Sequence, residues 1–183
     1  MKYTTIVFDC DGTLLDTATD LANAVNHVLR THNFPEKSLA EVKAALGNAV
    51  TYLMRQCLPS TVADYELEPY IEEFKIYYGE HLKDTTAPYP GILDMLDALR
   101  EKGYKLAIVS NKIQEGVTPL NKECFGDRLP VAIGERPGLQ RKPAPDMVLQ
   151  ALKELDSTPE ESIYVGDSEV CLLYTSPSPR DCS

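Results

Sequence analysis

Apolar and polar positions follow two regimes along the chain. Ile6, Val7 and Phe8 form a short unbroken apolar run, the pattern of a strand buried on both faces of a parallel sheet. From Asp16 the spacing turns helical: Leu21, Val25, Val28 and Leu29 mark one stripe, with Asp16 or Thr17 as cap, broken at Asn33-Phe34-Pro35. Ser38 and Glu41 have capping-box spacing and open a second helix through Leu39, Val42 and Leu46, stopped at Gly47. A third, through Val50, Leu53 and Met54, ends before Pro59. A fourth, roughly 64–83, carries Leu67, Ile71, Phe74 and Tyr78, and helix packing accounts for its cluster Tyr70, Tyr77 and Tyr78.

Beyond Pro88 and Pro90 strands and helices alternate. The pattern predicts a helix at 92–102 stopped by Gly103, a strand at 105–110, a helical piece at 119–124, a strand at 129–133, a helix at 145–155 and a strand at 162–165. Strands alternating with helices imply an α/β fold with a parallel sheet. The helical block is then an insertion after the first strand, so residues 1–16 and 87–170 form the core and 17–86 a helical cap.

Composition narrows the setting. The chain has 183 residues, 43% hydrophobic and 25% charged, as expected of an ordinary globular protein. Its net charge of −10 disfavours nucleic acid and anionic lipid as partners. No window reaches the length of a membrane span and no signal peptide is visible, so a cytoplasmic location is expected. The cysteines Cys10, Cys57, Cys124, Cys171 and Cys182 show neither a C-x-x-C pair nor metal-ligand spacing. Cys10 lies between two aspartates, yet alternation along a strand turns it to the opposite side.

In open parallel sheets ligands bind beyond the carboxyl ends of the strands, so the residues after each apolar run carry the chemistry. Those ends give Asp9 and Asp11 before Gly12, then Ser110 and Asn111, then Lys142 opening a loop before a helix, and finally Gly166-Asp167-Ser168. Two carboxylates at one strand end repel by about 4 kcal/mol at an effective dielectric of about 20 and 4 Å separation, which points to a cation. Each piece alone also fits an ordinary turn or exposed loop.

Taken in order, Asp9-Cys10-Asp11-Gly12-Thr13, Ser110-Asn111, Lys142-Pro143-Ala144-Pro145-Asp146 and Gly166-Asp167-Ser168 resemble the four motifs of the haloacid dehalogenase superfamily over about residues 1–170. The resemblance implies a Rossmann-like three-layer core with an inserted helical cap. Within the superfamily, Tyr89-Pro90-Gly91, Ser110-Asn111-Lys112 and the cap's Gly47-Asn48 are most similar to phosphoglycolate phosphatases. It implies a Mg²⁺-dependent phosphatase of a small phosphorylated metabolite. Asp9 is then the nucleophile that becomes an aspartyl-phosphate, and Asp11 the acid and base. Lys142 and Ser110 would clamp the phosphoryl oxygens, with Asn111 beside them and Thr13 supporting the loop. The metal set would be Asp9, the Asp11 carbonyl and Asp167. Gly47 and Asn48 would border the leaving group, and Lys43, Arg55 or Lys112 could hold its carboxylate, although solvated surface charge is the plainer role for all three.

The chain departs from the family pattern in motif four. The second acid is replaced by Cys171, and residues 171–183 turn abruptly to Ser and Pro without periodicity. Residues 171–181 resemble a translated DNA-library adapter; a genuine tail is the alternative. A core cut at this point should expose an apolar face and a sheet edge beside the catalytic strand. Other readings remain: an inactive fragment or non-catalytic binding module, and a sugar-phosphate or pyrophosphate phosphatase. A mutase is disfavoured by Leu21, where similar mutases carry His, and a dehalogenase by the retention of Asp11.

Overall fold

The computed structural model describes residues 2–47 and 49–168. In chain order its main elements are β1 (Thr5–Phe8), β2 (Leu15–Asp16), α1 (Ala18–Thr31), α2 (Leu39–Lys43), α3 (Val50–Cys57), α4 (Leu67–His81), β3 (Ala87–Pro88), α5 (Ile92–Glu101), β4 (Lys105–Ile113), α6 (Gln114–Phe125), β5 (Val131–Glu135), α7 (Asp146–Glu154) and β6 (Ser162–Val165). The chain forms two compact units: one ends at Leu15 and resumes at Pro88, and the other is Asp16–Ala87.

The first unit is built on a sheet of order β5-β4-β1-β6. Each neighbouring pair is parallel, with Val7 opposite Ala107 and Tyr164. On one face Val7, Ala107, Val109, Val131 and Ile133 pack with Met147, Val148, Ala151 and Leu152 of α7. The alternate residues Phe8, Leu106 and Ile108 project the other way and are equally buried. Burial on both faces is why these strands are uniformly apolar. The chain leaves β1 for β4 and β5 and returns to lay β6 on the other side of β1, so the winding reverses at β1. Ligands gather outside the carboxyl ends at such a reversal.

Several predicted bounds shift; β5, predicted at 129–133, spans Val131–Glu135. The helix after β4 begins at Gln114, five residues before Pro119, instead of at Pro119. Its start is fixed by the Gln114 side chain, which accepts from Gly134 N (2.8 Å) and donates to Ala132 O (2.9 Å) of β5. Pro119 lies within the helix, whose Val117, Leu120 and Phe125 are fully buried. Strand β4 runs on past Ser110 to Ile113, with an irregular register against β5 between Val109 and Ile113.

The second unit is the helical block. The capping box forms as predicted: Ser38 Oγ accepts from Glu41 N at 3.3 Å and Glu41 Oε2 from Ser38 N at 2.8 Å. Helix α2 ends at Lys43, leaving Leu46 beyond it, and Gly47 takes φ +89°. Thr17 occupies the cap position of α1 without a side-chain bond, while Asp16 Oδ1 accepts from Ala18 N at 3.4 Å. The tyrosines pack as expected: Tyr77 stacks between His27 and His81, and Tyr78 on Phe74. Asp20, buried in the first turn of α1, accepts from Thr85 N, Thr85 Oγ1 and Thr86 N at 2.6–3.0 Å, closing the unit's last residues onto its first helix. No described helix is long and apolar enough to cross a membrane.

Candidate active site

Asp9 follows β1 directly, at the reversal of the sheet. Its Oδ1 accepts from Cys10 N at 2.7 Å. The backbone then folds back sharply, Leu14 N and Leu15 N both reaching Cys10 O at 3.0 Å and Gly12 N reaching Leu15 O at 2.9 Å. Gly12 has φ +78°, and a Cβ there would lie 2.1 Å from Asp167 Oδ2, so the turn admits no side chain. Cys10 is buried, and burial, with Asp11 next, pushes its thiol well above its ordinary pKa.

The loop after β5 delivers Lys142 to Asp9. Their side chains are only 1% and 8% exposed, and Lys142 Nζ lies 2.8 Å from Asp9 Oδ1. The same ammonium donates to Val109 O (3.2 Å) and to the Tyr164 hydroxyl (2.8 Å). Asn111 fixes the loop itself: its Oδ1 accepts from Lys142 N (2.8 Å) and its Nδ2 donates to Lys142 O (3.1 Å). Ser110, also buried, accepts from Lys112 N at 3.2 Å through its Oγ. Lys112 is not a solvated surface charge. Its side chain is 7% exposed and places Nζ 3.3 Å from Asp11 Oδ1, a buried oxygen that accepts no hydrogen bond among the described residues. Two lysines thus face two aspartates, one pair for each carboxylate of the first motif.

Asp167 stands at the mouth after β6. Thr13 Oγ1 donates to its Oδ1 at 3.4 Å. Desolvation, and then the negative charge of Asp9, raise its carboxyl above the ordinary value. The Asp9 and Asp167 carboxylates, whose negative charges act on each other at the loop that Gly12 closes against Asp167, form an oxygen donor pair that suits a hard cation. Among the described residues, however, no three His, Cys, Asp or Glu side chains are grouped to hold a metal by themselves.

Asp9, Asp11, Thr13, Ser110, Asn111, Lys142 and Asp167 therefore all belong to the sheet unit and are joined there by the contacts above. Gly47 lies in the helical unit, and Asn48 and residues 171–183 are outside the described residues. Lys43 is exposed, whereas Arg55 binds its own unit through Val62 O (2.6 Å) and Pro59 O (2.9 Å). Tyr164 was invisible to sequence reasoning because an aromatic in a strand reads as core; its only signal was its place two residues before Gly166. On β6, the last strand in the sheet order among the described residues, Ile163 and Val165 are 40% and 38% exposed.

A family model described as haloacid dehalogenase-like hydrolase matches residues 6–171. The chain is 36% identical over 168 residues to a phosphoglycolate phosphatase of Aquifex aeolicus, covering 90% of this chain and 76% of that one. It is 32% identical over 169 residues to a phosphoglycolate phosphatase of Pseudomonas putida, covering 89% of this chain but 62% of the relative. A crystal structure from Lactobacillus delbrueckii subsp. bulgaricus, provisionally named a phosphoglycolate phosphatase, superposes with TM-score 0.87 at 35% identity, over 94% of this chain and 81% of its own.

Proposed function

The chain belongs to the haloacid dehalogenase-like hydrolase family, and on that premise we propose that it hydrolyses the phosphate monoester of a small metabolite, phosphoglycolate being the first substrate to test. The observation that carries this reading is the buried ion pair of Asp9 and Lys142 at 2.8 Å, at the carboxyl end of the central strand. A carboxylate placed there can attack phosphorus only if an adjacent cation offsets the repulsion between two anions.

Asp9 attacks phosphorus while the bond to the leaving oxygen breaks, giving an aspartyl-phosphate. Asp11, two residues on, gives its proton to the departing oxygen. It then takes a proton from the water that attacks phosphorus, and inorganic phosphate leaves with Asp9 restored. Lys142 and Ser110 hold the phosphoryl oxygens, and Asn111 fixes the Lys142 loop through its two bonds to that residue's main chain. Mg²⁺ would be held by Asp9, Asp167 and the Asp11 carbonyl, and when bound it supplies charge neutralisation between carboxylates and phosphate. Few protein ligands suffice for this ion, which commonly keeps waters and takes one or two carboxylates with substrate oxygens.

The test is phosphate release from phosphoglycolate, sugar phosphates, nucleotides and pyrophosphate, with Mg²⁺ and with EDTA. Mg²⁺-dependent release with phosphoglycolate preferred supports the reading. Absence of release across the panel by a folded chain overturns it.

A further inference from the structure

We infer that Tyr164 is a positioning residue for Lys142: its hydroxyl holds one donor of the ammonium so that another is aimed at Asp9. The inference rests on the phosphatase reading above. A lysine ammonium has three donors and no acceptor. Here three oxygens surround it: Asp9 Oδ1 at 2.8 Å, the Tyr164 hydroxyl at 2.8 Å and Val109 O at 3.2 Å. The Tyr164 hydroxyl in turn donates to Val109 O at 3.1 Å, closing a triangle of tyrosine oxygen, strand carbonyl and ammonium.

Two corners of that arrangement are fixed by the sheet. Val109 O belongs to the backbone of β4, and Tyr164 sits on β6 in register with Val7 of β1, so its ring reaches past β1 to a strand two places away. The ring packs against the cluster of Val7, Val109 and α7 side chains, which sets where the hydroxyl lies. Lys142 Nζ is 5.4 Å from the ring centroid, so the short contact is to the hydroxyl and not to the ring face. The remaining partner, Asp9, is the group that reacts. A flexible four-carbon stem would otherwise let the ammonium settle in several places. With two of its donors held, the third is directed at the reacting carboxylate and at the phosphoryl group it receives.

Tyr164→Phe deletes the oxygen and keeps the ring. Loss of one net hydrogen bond to a positioning group corresponds to a kcat lower by roughly fivefold to tenfold. KM should stay within about twofold and the melting temperature close to that of the unsubstituted chain. Tyr164→Leu, which also removes the ring from the packed face, should lower both kcat and the melting temperature. Three results overturn the inference: kcat unchanged in Tyr164→Phe, a loss confined to KM, or a Phe variant that melts far lower or fails to fold. The last would make the hydroxyl a support of the sheet. If the folded, unsubstituted chain releases no phosphate, the functional reading falls and this inference with it; if it does and Tyr164→Phe equals it, only the inference falls.

Discussion

Lys142→Met separates the electrostatics of the site from its chemistry. The substitution keeps an unbranched stem of similar length in a position that is 1% exposed, and it deletes the charge. Val109 O and the Tyr164 hydroxyl still bond each other, so neither is orphaned. Asp9 is the group that suffers: its side chain is 8% exposed and it keeps the Cys10 N–H but loses its cation. Breaking one side of a buried pair costs about 3–5 kcal/mol, and the slight opening of Asp9 to solvent argues for about 3. For a chain of this size, about 2–4 °C per kcal/mol gives a fall of about 6–12 °C in melting temperature. The assay is thermal unfolding in EDTA, since a bound cation would stand in for the lost charge. In Asp9→Asn with Lys142→Met no charge is left unpaired, and the double variant should recover to within about 1 kcal/mol of the unsubstituted chain. A double variant no more stable than Lys142→Met alone would refute the argument, because the loss would then come from packing.

Asp20→Ala should destabilise the helical unit by about 2–4 kcal/mol at pH 7, read as a lower urea midpoint, because it removes the bonds to Thr85 and Thr86. Burial works to raise the Asp20 carboxyl, but the bonds from Thr85 and Thr86 outweigh it and leave the pKa lowered. Its stabilising effect is therefore full above the ordinary carboxylate value of about 3.9 and is lost as pH falls through the lowered one, so the gap between variant and parent should close in acid. Asp167 has the opposite sign. Raised by desolvation and then by Asp9, its ionised form is disfavoured in the folded chain. Asp167→Asn should raise the melting temperature of the metal-free protein at neutral pH, with no gain below about pH 3.9, while lowering Mg²⁺-dependent phosphate release.

The parts of the fold that follow from periodicity were legible in the chain. The unbroken run Ile6–Phe8, the stripe of α1 and the capping box at Ser38 each report a local preference that packing reinforces. The start of α6 was not legible, because it depends on Gln114 bonding across to β5. In the site, Asp9, Asp11, Lys142 and Asp167 could be found because strand ends and short motifs mark them. The links between them could not. Asn111 binds the Lys142 main chain with its amide, Lys112 reaches Asp11 from the end of β4, and Tyr164 reaches past β1 to meet Lys142. Each is a long-range contact set by sheet order, which residue spacing does not encode.

The central claim is that Asp9 accepts the phosphoryl group. The most direct measurement is mass spectrometry of the Asp9 peptide from enzyme rapidly quenched during turnover with Mg²⁺ and phosphoglycolate. A phosphoryl adduct on Asp9, present during turnover, gone once the substrate is exhausted with Mg²⁺ still present, and absent in Asp9→Asn, is the predicted result. Continued turnover in Asp9→Asn at the unsubstituted rate, with no adduct on the Asp9 peptide of the parent, would contradict it.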